Sequence, residues 1–176
     1  RFLHEAHARD IRVVLDLVLN HTSDQHPWFI ESRSSRTNPK RDWYIWKDGA
    51  DGDSANRLPP NNWVSIFGGT AWEYDAASEQ YYYHIFLKEQ PDLNWRNPEV
   101  KQAMWAAMRF WLDMGIDGFR ADAVPYLFER PGTNGENLPE THAYLKEVRA
   151  YIEQHYPGRI LLAEANQWPD EVRPYF

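Results

Sequence analysis

Two carboxylates end short apolar runs: Asp122 in Gly118-Phe119-Arg120-Ala121-Asp122 and Glu164 in Ile160-Leu161-Leu162-Ala163-Glu164. Irregular sequence follows each. Such runs read as buried strands, and a strand's C-terminal tip is where the loops of repeated strand-helix folds converge on substrates. A pair of carboxylates serves acid/base or nucleophilic chemistry, and the leading bond that needs both is a glycosidic one. Strand side chains alternate faces, so Asp16 shares parity with Val18 and Asn20, and Arg120 with Gly118 and Asp122. Asp16, Arg120 and Asp122 are expected to point inward together, and Asp16 with Arg120 reads equally as a structural ion pair. An arginine beside a carboxylate keeps it ionised, as a nucleophile requires. Glu164 lies between Ala163 and Ala165, where desolvation would raise its pKa and suit it to general-acid work. If Asp122 attacks and Glu164 protonates the leaving oxygen, a retaining mechanism places their carboxyl groups about 5 to 5.5 Å apart.

These residues need strands and helices to hold them. Arg1 to Arg9 is helix-like, and Ile11 to Leu19 is a β-branched and leucine-rich run of the kind buried on both faces. From Asn20 to about Asp92 the character changes: Pro59-Pro60, Gly68-Gly69 and Asp51-Gly52-Asp53 punctuate short strand-like pieces such as Tyr81 to Phe86. This stretch reads as an irregular subdomain inserted after the first strand. Asn97 as N-cap, Pro98 in the first turn and Gly115 as a stop bound a helix whose face is Val100, Ala103, Met104, Ala107, Trp111 and Leu112. Ile116 to Asp122 follows as a strand. A Gly- and Asn-rich loop runs from Tyr126 to Asn137, then a helix over Pro139 to Tyr156 ends at Pro157-Gly158, and Arg159 to Glu164 is a third strand. Strand, excursion, helix, strand, helix, strand is a parallel α/β pattern. Three strands close no barrel, so the chain is expected to be the middle of a longer protein.

With 176 residues, 43% of them apolar and 15% aromatic, the chain can bury a sizeable core. Its net charge of -7 argues against nucleic-acid or anionic-membrane partners, which need a basic patch. Zero cysteines exclude disulfides and thiolate chemistry and are compatible with a cytoplasmic location. No apolar stretch approaches the roughly 18 residues of a membrane span. The nine Trp, ten Tyr and eight Phe could stack on the C-H faces of sugars but pack equally well on one another. Asp51-Gly52-Asp53 reads as a turn rather than a calcium loop. His21, Asp24 and His26 fit no usual zinc spacing, and Pro27 is read as spoiling a helix there. His84, His142 and His155 read as surface groups or satisfied core groups.

Four blocks together, Asp16-Leu17-Val18-Leu19-Asn20-His21, Gln90-Pro91-Asp92-Leu93-Asn94, Gly118 to Val124 and Leu162-Ala163-Glu164-Ala165-Asn166, resemble the α-amylase family of glycoside hydrolases. The resemblance covers essentially the whole chain. It implies a (β/α)8 TIM barrel from about strand 3 to strand 5, with residues 1–19 and 96–176 as partial barrel and residues 20–95 as the inserted subdomain. It implies Asp122 as nucleophile, Glu164 as general acid/base, Arg120 and His21 as contacts to the sugar, and Asp16 as support for Arg120. Within the family, Pro60 to Trp63, Phe67 to Trp72 and Arg33-Ser34-Ser35 resemble oligo-1,6-glucosidases and related α-glucosidases. Glu129 to His142 and Glu164 to Pro169 resemble trehalose synthases, which isomerise maltose to trehalose. The second set lies at the loops bearing both carboxylates, so isomerisation is the preferred expectation, with hydrolysis of short α-glucans as the alternative. A non-catalytic, glucosidase-like interaction protein is the minor alternative. The resemblance also implies a structural Ca²⁺ held by Asn20, Asp92 and Glu129 with the carbonyls of Tyr126 and Leu127, and hard oxygen donors suit that ion. No organic cofactor is expected, and maltose or short α-glucans are the expected partners. The third catalytic carboxylate of the family is expected beyond Phe176, so the isolated segment is expected to be inactive and to aggregate through open strand edges.

Overall fold

Asn97 accepts a hydrogen bond from the Glu99 amide through Oδ1 (2.9 Å), and Pro98, with no N–H to satisfy, starts a sixteen-residue helix, α3, Pro98–Asp113. Val100, Met104, Met108 and Leu112, four apart, form its buried side. Trp111, expected on that side, is exposed because the stripe is narrower than the periodicity suggested. A computed structural model describes residues 1–50 and 58–175, and Asp51-Gly52-Asp53 lies outside the described residues. The remaining elements in order are α1 Phe2–His7, β1 Val14–Val18, α2 Pro27–Ser34, β2 Trp46–Lys47, β3 Trp72–Asp75, β4 Gln80–Tyr83, β5 Gly118–Asp122, α4 Pro139–His155, β6 Ile160–Ala163 and α5 Pro169–Val172.

The chain divides into two units, Arg1–Leu19 with Lys101–Phe176, and Asn20–Val100. The first is a parallel sheet in the order β1-β5-β6. Val14 pairs with Gly118 and Asp16 with Arg120, while Gly118 pairs with Ile160 and Ala121 with Ala163. Gly118 has a steric reason: a Cβ there would sit 2.1 Å from the Ile160 carbonyl oxygen. Leu17, Phe119 and Ala121 are buried on one face, whereas Val14, Val18, Ile160 and Leu162 are exposed on the other. Among the described residues β1 is thus covered on one face and open on the other. Alternation separates a covered face from the open one that carries Asp16, Arg120 and Asp122. Trp105 of α3 packs 4.5 Å from Tyr151 of α4, and the Tyr156 hydroxyl donates to Asp113 (2.6 Å).

At the N-terminal end of β5 the buried Asp117 ties three segments together. It accepts from the Val13 amide (2.8 Å), His7 Nε2 (2.7 Å) and Arg12 Nη1 (3.0 Å). Burial alone would raise this carboxyl, but the bonds from Val13, His7 and Arg12 outweigh it and hold Asp117 well below the usual carboxylate range.

The second unit carries short strands of the kind read from sequence within an otherwise irregular stretch. It holds an antiparallel sheet in the order β2-β4-β3 and the helix α2. Pro27 does not spoil that helix: it occupies the first turn, where no intrahelical N–H is needed, and His26 Nδ1 accepts from the Trp28 amide (3.1 Å) as its cap. Phe29 packs against Tyr44, Trp46 and Tyr82 at centroid distances of 5.0, 5.8 and 5.0 Å, so this group of aromatics packs on itself. The buried Arg41 guanidinium lies 3.5 Å over Trp46 and donates to the Ser32 carbonyl, Ser78 Oγ and Gln80 Oε1. Burial lowers its pKa to about 10.

Because the Asp117 pKa is depressed on folding, its stabilisation is present above the unfolded value near pH 4 and is lost as pH falls below it. Asp117→Asn should cost about 1–3 kcal/mol at neutral pH by leaving donors unsatisfied. It should also flatten the acid-side decline of the full-length protein's melting temperature, as measured by calorimetry across pH.

Candidate active site

The parallel register sets the site. Asp16 and Arg120 are direct partners across β1 and β5, and the Glu164 amide donates to the Ala121 carbonyl (2.9 Å), which carries Glu164 past the end of β6 to the level of Asp122. The structure brings Asp16, Arg120, Asp122 and Glu164 together on the open sheet face. Arg120 is the hub. Its Nη1 donates to Asp16 Oδ1 and to Asp122 Oδ1 (3.2 Å), and its Nη2 to Glu164 Oε2 (2.7 Å). The hydrogen bond that Arg120 donates to Asp16, then the surrounding carboxylate charge, raises the Arg120 pKa further, so the guanidinium stays charged throughout.

Asp122 and Glu164 lie at the ends of neighbouring strands and both contact Arg120, and each carboxyl is among the causes of the other's pKa shift. Burial and then Glu164 raise the Asp122 pKa, whereas Asp122, with help from the Ala123 amide and Arg120, lowers that of Glu164. This reverses the order expected from sequence. The side chain of Glu164 is 46% exposed and takes the shorter contact to Arg120, so its alanine neighbours do not desolvate it. The next residue, Ala123, is in the left-handed region (φ 49°, ψ 33°), rare for a side chain with a Cβ. Its amide points at Glu164 Oε2 (3.5 Å).

His21 belongs to the second unit. Burial lowers its pKa, Gln90 Nε2 lies 2.9 Å from its Nε2, and Phe86 packs edge-on at 5.6 Å. Of the residues expected around Ca²⁺, Asn20 and Asp92 are in the second unit and Tyr126, Leu127 and Glu129 in the first. Asn20 and Asp92 are buried and adjacent: the Asn20 carbonyl accepts from the Leu93 amide (2.9 Å). Asp92 Oδ1 accepts from the Ile85 amide (3.0 Å), whereas Asn20 Oδ1 is buried without a hydrogen-bond partner, the kind of oxygen a hard cation satisfies. Tyr126 ends a 3-10 turn, Leu127 is buried and Glu129 is half-buried. Among the described residues no three His, Cys, Asp or Glu side chains cluster as metal ligands.

His84 is buried with Nδ1 against the Phe86 carbonyl (3.1 Å), His142 packs edge-on against Tyr175 at 4.6 Å, and His155 stacks on Tyr151 at 4.2 Å. None of the three joins the site residues. Glu136, Asn137 and Gln167, which no sequence spacing singled out, link the loop after β5 to the loop after β6. No helix among the described residues is long and apolar enough to cross a membrane.

A parallel α/β sheet with paired carboxylates at its C-terminal strand ends, gripped by one arginine, has the form of a barrel glycosidase site. The α-amylase catalytic-domain family, a family of TIM barrels, matches residues 1–176, and the chain belongs to it. Among curated proteins it is 55% identical to a trehalose synthase of Pimelobacter sp. (strain R48) over 99% of its own length and 30% of that protein. It is 57% identical to an α-glucosidase of Schizosaccharomyces pombe over 70% of this chain and 21% of that protein. Among solved structures, a trehalulose synthase variant bound to Tris superposes with a TM-score of 0.89 at 39% identity, over all of this chain and 33% of that one. The chain thus spans about a third or less of the relatives it matches.

Glu164→Gln removes the neighbouring carboxylate and should lower the Asp122 pKa. Carbon NMR titration of carboxyl-labelled full-length protein reads this directly, and an unchanged or higher Asp122 midpoint would contradict the influence of Glu164 on Asp122.

Proposed function

We propose that the protein carrying this chain is a retaining α-glucosyl-transferring enzyme that works through a covalent glucosyl ester on Asp122, with isomerisation of maltose to trehalose as its main reaction. The observation that carries this is the juxtaposition of Asp122 and Glu164 on Arg120 at the ends of neighbouring parallel strands. On this reading β1, β5 and β6 are the third to fifth strands of the barrel, and residues 20–95 are the subdomain between the third strand and its helix. The remaining strands and a third carboxylate come from sequence outside this chain.

The pair works in two steps. Glucoside binds between the carboxyls with the proton on Glu164 and Asp122 ionised against Arg120. An Asp122 oxygen attacks the anomeric carbon as the bond to the leaving oxygen breaks, and Glu164 gives that oxygen its proton. An acceptor hydroxyl then attacks the same carbon, Glu164 removes its proton, and the Asp122 ester bond breaks. Two inversions give retention. A glucose held in a water-excluding pocket that attacks through its anomeric hydroxyl gives trehalose, whereas water gives glucose.

The trehalose synthase relative matches nearly the whole chain, whereas the α-glucosidase matches a shorter part of it, and this favours isomerisation. The second reading, an α-glucosidase or oligo-1,6-glucosidase acting on short α-glucans, shares the intermediate and differs only in the acceptor. It draws on the identity to the fission-yeast enzyme and on an oligo-1,6-glucosidase of Parageobacillus thermoglucosidasius, 46% identical over 88% of this chain. We place His21 among the sugar contacts and Asp16 as the support that orients Arg120.

A bound Ca²⁺ would supply structural cross-linking, and the buried Asn20 Oδ1 beside Asp92 is the feature that fits it. Chelation should lower the full-length protein's melting temperature and added Ca²⁺ restore it, an effect that Asn20→Ala should remove. A melting curve indifferent to chelator would contradict the ion. For the reaction, the full-length protein incubated with maltose should release mostly trehalose, with glucose as the minor product. Asp122→Asn should lower kcat by on the order of 10⁴-fold or more, because no ester can form. Mostly glucose would favour the second reading, and an active Asp122→Asn variant would refute both.

A further inference from the structure

The segment after Glu164 has no regular structure until α5, yet the proposed reaction needs Glu164 held in place relative to Asp122. Something outside the backbone of β6 holds it. Gln167 lies three residues on, and its amide is gripped at both ends: Nε2 donates to Glu136 Oε1, and Oε1 accepts from Asn137 Nδ2 (2.9 Å). The same Glu136 oxygen accepts from the Tyr126 hydroxyl (3.0 Å), four residues after Asp122. One carboxylate oxygen therefore receives a donor from each loop that carries a catalytic candidate.

The clasp is itself anchored. Asn137 takes a left-handed conformation (φ 55°), which turns its amide onto the Pro125 carbonyl (3.0 Å) in the turn that follows the strained Ala123. Asn137 Oδ1 accepts from the Tyr175 hydroxyl, and Glu136 Oε2 accepts from Asn134 Nδ2 (3.0 Å). Glu136 is half-buried, and as an ionised carboxylate it is acceptor-only, matching the three donors aimed at it. The two Gln167 bonds join residues 30 and 31 apart in sequence, whereas most of the other polar contacts in the 130–137 loop are local.

We propose that Glu136, with Asn137, is a positioning clasp that holds the Glu164 loop against the Asp122 turn and so sets the spacing of the two catalytic carboxyls. The proposal rests on the retaining reading above. Neither Glu136 nor Gln167 touches the reacting atoms; they act through Glu164. When the clasp is lost the acid drifts relative to the nucleophile, and displacements near 1 Å cost up to about 100-fold in rate.

The test uses the full-length protein with maltose, following kcat, KM and the pH dependence of kcat for Glu136→Ala, Gln167→Ala, their double variant and Glu136→Gln, with Asp122→Asn as reference. Glu136→Ala should lower kcat by on the order of 10- to 100-fold with little change in KM. It should also displace the acid limb of the profile, because carboxyl coupling depends on separation. The double variant should lose no more than the worse single one, since both remove one linkage. Glu136→Gln keeps an acceptor oxygen for Tyr126 and Gln167 and should recover most of the loss. If Glu136→Ala does not fold, Gln167→Ala against Glu136→Gln carries the same test. Unchanged kcat and pH limbs, or additive losses in the double variant, would overturn the clasp. An inactive Asp122→Asn beside a wild-type-like Glu136→Ala overturns the clasp alone, whereas an active Asp122→Asn overturns the underlying reading and the clasp with it.

Discussion

Three carboxylates, Asp16, Asp122 and Glu164, converge on the guanidinium of Arg120, and the arrangement of the sheet follows from that convergence. Like charges this close would each resist ionisation. A planar cation with five N–H donors can satisfy several acceptors at once while holding their directions. The cation has to arrive from the middle strand, because only there can it reach carboxylates on both neighbours. The pleat then decides which residues share its face. Gly118 completes the geometry from below: with no Cβ it lets the Ile160 backbone approach closely enough to put Glu164 level with Asp122.

The two ends of β5 carry different burdens. At the start, Asp117 is buried and fully engaged with Val13, His7 and Arg12, and its job is to lock helix to strand. At the end, Asp122 is partly exposed, contacts Arg120 and precedes a strained Ala123. On the proposed reading this is the division of a barrel strand, with stability at the N-terminal face and chemistry at the C-terminal one. It explains how one short strand can hold both an inert carboxylate and a reactive one.

Much of this was legible in the residues. Asn97, Pro98 and Gly115 mark α3 because capping and φ restrictions act locally, and the runs ending at Asp122 and Glu164 mark strands because short apolar runs bounded by turn residues favour a pleated strand. The face shared by Asp16, Arg120 and Asp122 follows from a period of two. Other features were hidden for physical reasons. Pro27 carries one meaning inside a helix and another at its first turn, and only the placement of His26 decides between them. The β2-β4-β3 sheet is made of two- to four-residue strands too short to show a period. The protonation order of Asp122 and Glu164 depends on exposure and on contact distances to Arg120, which no neighbouring alanine reports. Ala123 gives no sign of its left-handed backbone, and the Glu136 to Gln167 bond joins positions that only the fold brings together.

The central claim is that Asp122 forms the covalent bond to the sugar. Full-length protein incubated with a fluorinated α-glucosyl fluoride, whose ring fluorine slows breakdown of a glycosyl ester, can be digested and its peptides weighed. A hexosyl adduct on the peptide that contains Asp122, at Asp122 itself, is the result predicted. An adduct on Glu164, or substrate turnover with no adduct on any carboxylate, would contradict it.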